Sequence, residues 1–476
     1  MENKSLEQRM ETEPVHRVIL SLAAPTVLSM LVISAYSIVD TFFVTRLGSR
    51  ATGAVGITFA LVAWIQAVGY TVGMGAGSLV SRLLGKKEKE QAEQIANSAI
   101  MSGLLLGLIS LGAGLIFLIP LLKLSGATTE LLPYAREYAL FVLLSAPFTI
   151  ETLVLGTLLR AQGRAKASMA GMVTGGILDI ILTPVFLFVL NLGVKGAALA
   201  AFIGQAVAAM VLGGCFWHGR MKLNGKKQSE NRKWEEKQCR KKQSWKNLFK
   251  RKDYGSIIKN GLPSLCRQGF ASVAAVLLNR QAVGYGDAAV AAMSVDGRLF
   301  MVFFSLFIGY GQGFQPVAGY QFGAENKKKL KQAFIFTLWS STIAAAGIGL
   351  AGFLFAPMTM SFFLKEDMAT QIGIFTFRSQ CLILPLIPIG ILSNMLFQGI
   401  GQQWKAAFLS ACRQGIVFLP LIFLLPEWLG LAGVEIAQAL SDGLTAIISI
   451  PFVFCYFQKS EKKRTKKQTS DGKRQL

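Results

Sequence analysis

Charged residues are scarce in this sequence: Asp, Glu, Lys and Arg make up only 16% of its 476 residues. Soluble domains carry about 25% charged residues, so the composition argues against an ordinary water-soluble protein. Histidine is scarcer still, with only His16 and His218, and the six cysteines show no CxxC spacing. A cluster of Cys and His ligands around a structural metal ion is therefore not expected.

The motifs of common hydrolases and ATPases are also missing. The chain has no HExxH, no GxSxG at a strand-to-helix elbow and no Walker GxxxxGK[ST]. Those motifs supply a metal site, a nucleophile and a phosphate cradle. Their absence predicts that the protein is not an enzyme, and it leaves ATP-driven transport without the residues that it needs.

Apolar residues are what the sequence has in abundance, at 52% of the chain with a mean hydropathy of +0.47. Stretches of about 20 apolar residues recur, and each is long enough to cross a hydrocarbon core of about 30 Å as a helix. A membrane β-barrel would show shorter segments of about ten alternating residues. The predicted fold is an all-α integral membrane protein. Its twelve transmembrane helices are expected at residues 15–40, 54–81, 94–119, 134–159, 167–190, 194–217, 254–283, 288–317, 332–356, 372–398, 405–426 and 430–457.

The net charge of +23 is concentrated in a few loops. Residues 218–253 hold 14 Lys or Arg against 4 Asp or Glu, and residues 458–476 hold 8 against 2. Smaller basic clusters follow even-numbered stretches at 86–90, 160–166 and 326–331. The cell membrane is the expected location, and the positive-inside rule predicts that these loops and both termini lie in the cytoplasm.

The basic loops suggest one partner and argue against another. Anionic lipids of the inner leaflet are expected to attract them, each cation adding about 1 kcal/mol. Nucleic acid is not an expected partner, because no aromatic platform accompanies the charge.

The first fifteen residues are polar and a full-length apolar stretch follows them. No cleavable signal is therefore evident, and the first apolar stretch is expected to remain in the protein.

The chain repeats itself at half its length. Each half has six stretches, an even number, so the two repeats must be parallel and related by an axis normal to the bilayer. Two pseudo-symmetric six-helix lobes are therefore predicted: an N-lobe at 1–217, a basic cytoplasmic linker at 218–253, a C-lobe at 254–457 and a basic tail at 458–476. The repeat is seen as Pro25, Gly48, Gly73, Gly75, Gly85, Pro147 and Gly163, which recur 238 positions later as Pro263, Gly286, Gly311, Gly313, Gly323, Pro385 and Gly401.

Several segments in both halves are characteristic of one family. They are LAAPTVLSML, SIVDTFFV, RLGSRATGAVGI, GMGAGSLVSRLLGKK, LLRAQGRAK, GLPSLCRQGF, GYQFGAENKKKLK and RQGIVFLPLIF. With them the sequence resembles the multidrug and toxic compound extrusion (MATE) family, especially its bacterial drug exporters. The resemblance implies a twelve-helix antiporter that expels small organic cations in exchange for inward protons or sodium ions. The coupling ion would be its only cofactor, and a monomer is expected.

Asp40 is a lone acid within the first apolar stretch. An acid at the centre of a membrane helix costs roughly 2.5 to 3.5 kcal/mol, so it persists where a partner, water or a function offsets that cost. Tyr36 lies one turn earlier on the same face and could share a hydrogen bond with it. Asp40 matches a family position and is predicted to accept a proton or Na⁺. The alternative is an acid at a helix end, bonded to water or to Arg46.

Asp179 is a second acid of the first half, in the fifth stretch. Proton-coupled relatives often show N-x-x-x-D-P there, whereas this chain has Asp179, then Thr183, then Pro184. The acid has moved back one turn, about 6 Å of rise, and a hydroxyl stands in its usual place. A further family Thr is Ala201 here. Asp179 and Thr183 are predicted ion ligands, with a structural polar pair as the alternative.

The second half offers fewer acids at family positions. Its seventh and tenth stretches, where sodium-binding members carry acids, hold Arg267, Gln268 and Arg378. Asp296 is a candidate substrate acid, although mutual neutralisation with Arg298 is the favoured interpretation. Arg413 is expected to brace carbonyls or an acid. The remaining candidate substrate-binding residues are the amides Gln312, Gln315, Asn279, Gln281, Asn394 and Gln398.

A lipid-linked oligosaccharide flippase of the same superfamily is the rival function. Such a protein needs cationic side chains along its central cleft to meet a pyrophosphate, and Arg267, Arg280, Arg298 and Arg378 are candidates. Flippases of this kind commonly have additional spans, and the motif matches favour a drug exporter. A receptor or scaffold without transport is a distant third, because it would not require a twofold chain with buried acids.

Overall fold

Long helices dominate the part of the chain that the structure describes. The computed structural model describes residues 6–224, 251–364 and 366–472, and within these ranges it contains helices and no strand. Twelve of the helical segments are long and apolar enough to cross a membrane, which confirms the predicted fold class. They are spans 1–12: Val15–Thr45, Thr52–Gly85, Lys89–Ile116, Leu132–Ala161, Ala165–Val189, Val194–His218, Asp253–Val283, Asp287–Gly323, Lys327–Phe363, Asp367–Gly399, Gln403–Leu429 and Leu431–Lys459.

Several helices extend beyond the predicted apolar stretches. The helix of span 2 covers Ser49–Gly85, that of span 6 covers Val194–Asn224, that of span 7 covers Arg251–Val283, and that of span 12 covers Leu431–Gly472. Helical hydrogen bonds need no apolar side chains, so a helix continues past the part that faces hydrocarbon. Two short helices flank the spans, Leu6–Thr12 at the N-terminus and Leu118–Leu124 after span 3. Residues 225–250 of the predicted linker lie outside the described residues.

Three spans contain a break in regular helix. Span 5 is α-helical over Ala165–Pro184 and ends in a π-helical turn at Val185–Val189. Span 10 passes from Asp367–Ile383 through a 3-10 turn at Leu384–Leu386 into Ile387–Gly399. Span 11 has a π-helical turn at Cys412–Ile416 between Gln403–Ala411 and Phe418–Leu429. Proline lacks a backbone N–H donor, which accounts for the breaks near Pro184 and Pro385. The π-helical turns mark single-turn bulges within α-helices.

The backbone confirms the repeat, because turns related by 238 positions share rare conformations. Positive φ angles favour glycine, so two matching non-glycine residues at such angles are informative. The matched pairs are Gly48 at 102° with Gly286 at 95°, Lys87 at 65° with Glu325 at 57°, and Gly163 at 80° with Gly401 at 83°. The first pair precedes spans 2 and 8, the second pair follows spans 2 and 8, and the third pair follows spans 4 and 10.

Packing inside each lobe repeats as well. A Cβ placed on Gly73 would meet the side chain of Thr157, and one on Gly311 would meet that of Met395. Gly311 lies 238 positions after Gly73, and Met395 lies 238 positions after Thr157. Spans 2 and 4 of the N-lobe therefore approach each other in the way that spans 8 and 10 of the C-lobe do.

The two lobes contact each other at the end of the bundle where span 1 begins and span 12 ends, which we name the terminal end. A Cβ on Gly85 would lie 2.1 Å from the carbonyl oxygen of Tyr320, and one on Gly323 would lie 2.1 Å from that of Arg82. These two contacts are exchanged by the repeat. Arg82 also donates to Asn260 Oδ1 of span 7 at 2.6 Å. Only glycine permits such an approach of the backbones.

The hydrophobic clusters show where the lobes separate. One cluster combines Val18 and Leu22 of span 1 with Phe314 and Val317 of span 8, near the terminal end. Clusters closer to the opposite end each belong to a single lobe. The apolar core is thus shared at the terminal end and divided at the opposite end.

The N-terminal helix Leu6–Thr12 lies over the terminal end. Met10 is buried in the shared cluster, and its carbonyl oxygen accepts from Lys329 Nζ of the C-lobe at 3.0 Å. Glu11 forms an ion pair of 3.3 Å with Lys87, which follows span 2 of the N-lobe. This short helix therefore touches both lobes.

Candidate ion-coupling and substrate site

Two acids of the N-lobe lie close together in the membrane-spanning region. Asp40 is near the far end of span 1 and is half-buried, whereas Asp179 of span 5 is only 4% exposed. One carboxylate oxygen of each, Oδ1, is buried and makes no hydrogen bond. The two carboxyls are near enough to interact electrostatically, and no ion pair to either is found among the described residues. The fold therefore brings together the two acids that the sequence singled out.

Two tyrosines interact with both acids, and a third interacts with one of these tyrosines. Tyr36 of span 1 interacts electrostatically with both carboxyls and with Tyr70 of span 2. Tyr138 of span 4 is buried and interacts with both carboxyls and with Tyr36. We name Tyr36, Asp40, Tyr70, Tyr138 and Asp179 the N-lobe acid cluster; it draws on spans 1, 2, 4 and 5.

Glycines set the spacing of the helices around the cluster. A Cβ on Gly176 would lie 3.0 Å from Val32 and 3.3 Å from the Tyr36 ring, which brings span 5 against span 1. A Cβ on Gly204 of span 6 would lie 3.4 Å from the Cβ of Asp179. Asp179 is thus held between spans 1 and 6. Thr183, one turn further along span 5, is also buried.

Two expected contacts of Asp40 are not present. No hydrogen bond joins Tyr36 to Asp40 among the described residues, although the two interact electrostatically. Arg46 does not neutralise the acid either, because its guanidinium lies over the Phe42 ring at 4.7 Å.

Glu151, Glu435 and Asp442 also lie within the spans, although none of them was a predicted site residue. Glu151 of span 4 has both carboxylate oxygens buried, and Oε1 would lie 2.7 Å from a Cβ on Gly103. Glu435 and Asp442 of span 12 are also buried. Each is an acid within an apolar stretch, so the criterion that selected Asp40 would have found all three.

The acid Asp296 corrects an expectation about the C-lobe. It is 1% exposed and accepts a hydrogen bond of 2.6 Å from Gln380 Nε2 of span 10. Arg298 is exposed and forms no pair with it. Residues two apart on a helix point in different directions, so the neutralisation predicted for this pair does not occur.

Arg413 does brace an acid, as predicted. Its Nε donates to Asp442 Oδ1 at 2.6 Å and its Nη2 to Oδ2 at 3.2 Å. Gln438 donates to the same carboxylate, and the Phe304 ring lies 3.7 Å from the guanidinium carbon. This C-lobe acid has an ion pair and a further hydrogen bond, and an aromatic ring covers the guanidinium that pairs with it.

The predicted substrate amides fall into different environments. Asn394 donates to Ala406 O and to Ser410 Oγ, and Gln398 donates to Ser264 Oγ, so both join helices inside the C-lobe. Asn279 is exposed and Gln281 half-buried near the opposite end of span 7. Gln312 and Gln315 are buried and line a cavity between the lobes. The fold does not bring the six amides into one site.

The cationic candidates for a pyrophosphate site are also dispersed. Arg280 and Arg298 are exposed, and Arg378 stacks over Phe353 at 5.0 Å while donating to its carbonyl oxygen. Arg267 lies in the interior, with its guanidinium 5.9 Å from the Tyr70 ring and in electrostatic contact with Arg413.

Two parallel-repeat lobes of six helices, with ionisable groups inside their spans, define a multi-pass membrane transporter. The MatE family profile matches residues 25–185 and 263–424, one match in each lobe. The chain belongs to the MATE family.

Relatives and solved structures agree with this assignment. The chain is similar to the multidrug export protein MepA of Staphylococcus aureus (strain MRSA252), with 26% identity over 447 residues that cover 93% of this chain and 94% of MepA. A crystal structure of a MATE protein in the straight conformation superposes with a TM-score of 0.86 at 25% identity, covering 95% and 98% of the two chains. A multidrug resistance MATE transporter in an outward-facing conformation gives 0.85 at 25% identity, with the same coverage.

Proposed function

We propose that this protein exports small organic cations from the cytoplasm in exchange for inward H⁺ or Na⁺, by alternating access of a central site. The observation that carries the proposal is the N-lobe acid cluster, in which Asp40 and Asp179 share one interior region with no basic partner among the described residues. Unpaired acids inside a membrane are costly and typically mark ion or substrate paths. The family membership and the multidrug-export relatives support the same function.

The chemistry of the cluster suits competition between two kinds of cation. A carboxylate attracts an organic cation, and a proton or a sodium ion on that carboxylate removes the attraction. The rings of Tyr36, Tyr70 and Tyr138 add faces on which a desolvated cation is stabilised by about 2 kcal/mol or more. Binding of the ion and of the drug would therefore exclude each other, which is the requirement for antiport. Thr183 would serve as a further oxygen ligand for the ion.

The distribution of basic loops supports an orientation with both termini in the cytoplasm of a cell-membrane protein. The terminal end, where the lobes touch, would then face the cytoplasm and the divided opposite end would face outward. Such a conformation would release the drug outside and take up ions there. Anionic lipids of the inner leaflet would meet the basic loops at the terminal end.

The number of acids in the N-lobe acid cluster bears on whether the membrane potential can drive transport. One proton exchanged for one monovalent cation moves no net charge, so the membrane potential of about 2.3 kcal/mol per 100 mV would not contribute. Two acids permit two protons per cycle and would recover that contribution. A transport rate that is insensitive to an imposed potential would exclude the two-proton cycle.

The experiment is efflux of a fluorescent organic cation from vesicles that contain the full chain, with pH and Na⁺ gradients imposed separately. Asp40→Asn is expected to abolish gradient-driven efflux. Asp287→Asn is the matched control, because the same change is made at an exposed acid, the first residue of span 8. Unchanged efflux in Asp40→Asn would remove the assigned role.

The flippase alternative has one observation in its favour, the interior position of Arg267 beside a second cation, Arg413. Arg413 is neutralised by Asp442, however, and the other cationic candidates do not converge on Arg267. Scrambling of a fluorescent lipid-linked pyrophosphate in the same vesicles, lost in Arg267→Gln and retained in Asp40→Asn, would favour the flippase.

A further inference from the structure

A cavity between the two lobes has an electrostatic character opposite to that of the N-lobe acid cluster. It lies near the terminal end and is lined by Ser81 of span 2, Thr157 and Arg160 of span 4, and Gln312 and Gln315 of span 8. The lining contains no carboxylate. Each lobe contributes part of the wall, so the cavity exists only while the lobes touch at this end.

Arg160 is a buried cation without an acidic partner. It is 3% exposed, and its guanidinium donates to Ser168 Oγ at 3.0 Å and to Thr157 Oγ1 at 3.3 Å, with Met172 Sδ 3.7 Å away. No carboxylate of the described residues lies within ion-pair distance of it. Buried charges are normally paired, because removing an ion from water costs several kcal/mol. The neutral contacts around Arg160 do not offset its charge.

The facing side of the cavity carries unsatisfied amides. Gln312 is 2% exposed, and both its Oε1 and its Nε2 are buried without a hydrogen-bond partner. Gln315 Nε2 is in the same state. More than about 90% of buried polar groups in proteins have a partner, so two such amides side by side indicate a site for a polar ligand.

The donors decide which ligand fits. The hydroxyls of Ser81 and Thr157 donate to the backbone carbonyls of Gly77 and Leu153, so their protons are already used. Guanidinium N–H groups and two amide NH₂ groups remain, and these are donors to an anion. An organic cation would be repelled by Arg160. The available donors and the single uncompensated positive charge match a small monovalent anion.

We propose that this cavity binds chloride, or an inorganic anion of its size and charge, between Arg160 of the N-lobe and the amides of Gln312 and Gln315 of the C-lobe. The anion neutralises Arg160 and joins the lobes at the terminal end. Because separation of the lobes divides its ligands, it binds only the conformation in which this end is closed and shifts the population toward that conformation. The site goes beyond the proposed export of cations and does not depend on it.

The test is thermal unfolding of the purified full-length protein in detergent, titrated with sodium chloride against sodium gluconate at equal ionic strength. Chloride is expected to raise the unfolding midpoint with saturation, as a ligand that binds only the folded protein does, and gluconate is expected not to. The assay contains no drug and no gradient, so failure of the export proposal would not affect its result. An identical response to both salts would overturn the anion site and indicate bound water in the cavity.

Variants assign the effect to the cavity. Arg160→Gln is expected to abolish the chloride response, and Arg136→Gln, an exposed position of the same span, to retain it. Gln312→Met keeps the buried cation and tests the site if Arg160→Gln does not fold. It should raise the chloride concentration at half-effect by about tenfold, the usual effect of losing a hydrogen bond to a charged group. A wild-type response in either cavity variant would contradict the proposal.

Discussion

The N-lobe and the C-lobe share one helical arrangement but treat their buried acids differently. In the N-lobe, Asp40 and Asp179 each have one buried carboxylate oxygen without a hydrogen-bond partner, and Tyr36 and Tyr138 interact electrostatically with both acids. In the C-lobe, Asp296 accepts a hydrogen bond from Gln380 through Oδ2, although its Oδ1 is also unpartnered, and Asp442 is paired with Arg413. The repeat thus preserves turns and glycine contacts, whereas the side chains that contact the buried acids differ between the two halves. In the proposed function the N-lobe acids bind and release cations, whereas Asp442 joins spans 11 and 12 of the C-lobe through Arg413.

The largest effect is expected from neutralising an N-lobe acid. Asp179→Asn should reduce gradient-driven efflux to that of vesicles without protein, because the amide cannot exchange a proton or hold Na⁺ as a carboxylate does. Asp296→Asn is the C-lobe counterpart, in which Gln380 can still donate to the new amide oxygen. Equal loss of efflux in the two variants, measured at equal protein content, would show that the acids of the two lobes do not differ in their role in transport.

The next largest effect is expected on the free energy of unfolding. Arg413→Met leaves Asp442 as a buried, uncompensated charge and should destabilise the fold by about 3–5 kcal/mol. Equilibrium unfolding in mixed micelles would measure the change, with Arg280→Met at an exposed position as the control. Adding Asp442→Asn should restore part of the loss. A double variant no more stable than Arg413→Met would show that the ion pair is not the cause.

A smaller cost is expected for Gln380→Leu. It removes the hydrogen bond to Asp296 Oδ2 and should cost about 1–3 kcal/mol, because the carboxyl is left without that partner. Gln371→Leu changes an exposed glutamine of the same span and should be nearly neutral. If the two variants unfold at the same denaturant concentration, Asp296 is not held by Gln380.

The smallest effect concerns the N-terminal helix. Lys87→Ala removes the ion pair between Lys87 and Glu11 of that helix. The side chain of Lys87 is 74% exposed and that of Glu11 is 58% exposed. Exposed pairs contribute about 0–1 kcal/mol, so little stability should be lost. A double-mutant cycle with Glu11→Ala measures the coupling, and a value well above that range would give this helix a larger part in holding the lobes together.

The architecture was largely predictable from the sequence because it rests on length, hydropathy and spacing. Apolar stretches long enough to span a membrane predicted twelve helices, and the displacement of 238 positions predicted the paired turns. Asp40 and Asp179 stood out because acids are rare in such stretches. Lone-acid scanning, applied throughout, would also have identified Glu151, Glu435 and Asp442.

Other features depend on which helix faces meet, and no single-span pattern contains that information. Tyr70 and Tyr138 join the acid cluster through packing of spans 2 and 4 against spans 1 and 5, and phenols in apolar spans are too common to single out. The partner of Asp296 lies 84 residues away on another span, so proximity in sequence pointed to Arg298 instead. Arg160 escaped notice because it lies at the end of a stretch, among basic loop residues.

Competition between drug and coupling ion for the N-lobe acids, which the proposed function requires, can be measured by equilibrium binding. Ethidium binding to the purified protein would be titrated at several pH values and Na⁺ concentrations, for the wild type and for Asp179→Asn. We expect lower pH or added Na⁺ to weaken ethidium binding to the wild type, and we expect the variant to lose this sensitivity. Wild-type binding that is indifferent to both ions, or equal sensitivity in the variant, would contradict the proposed competition.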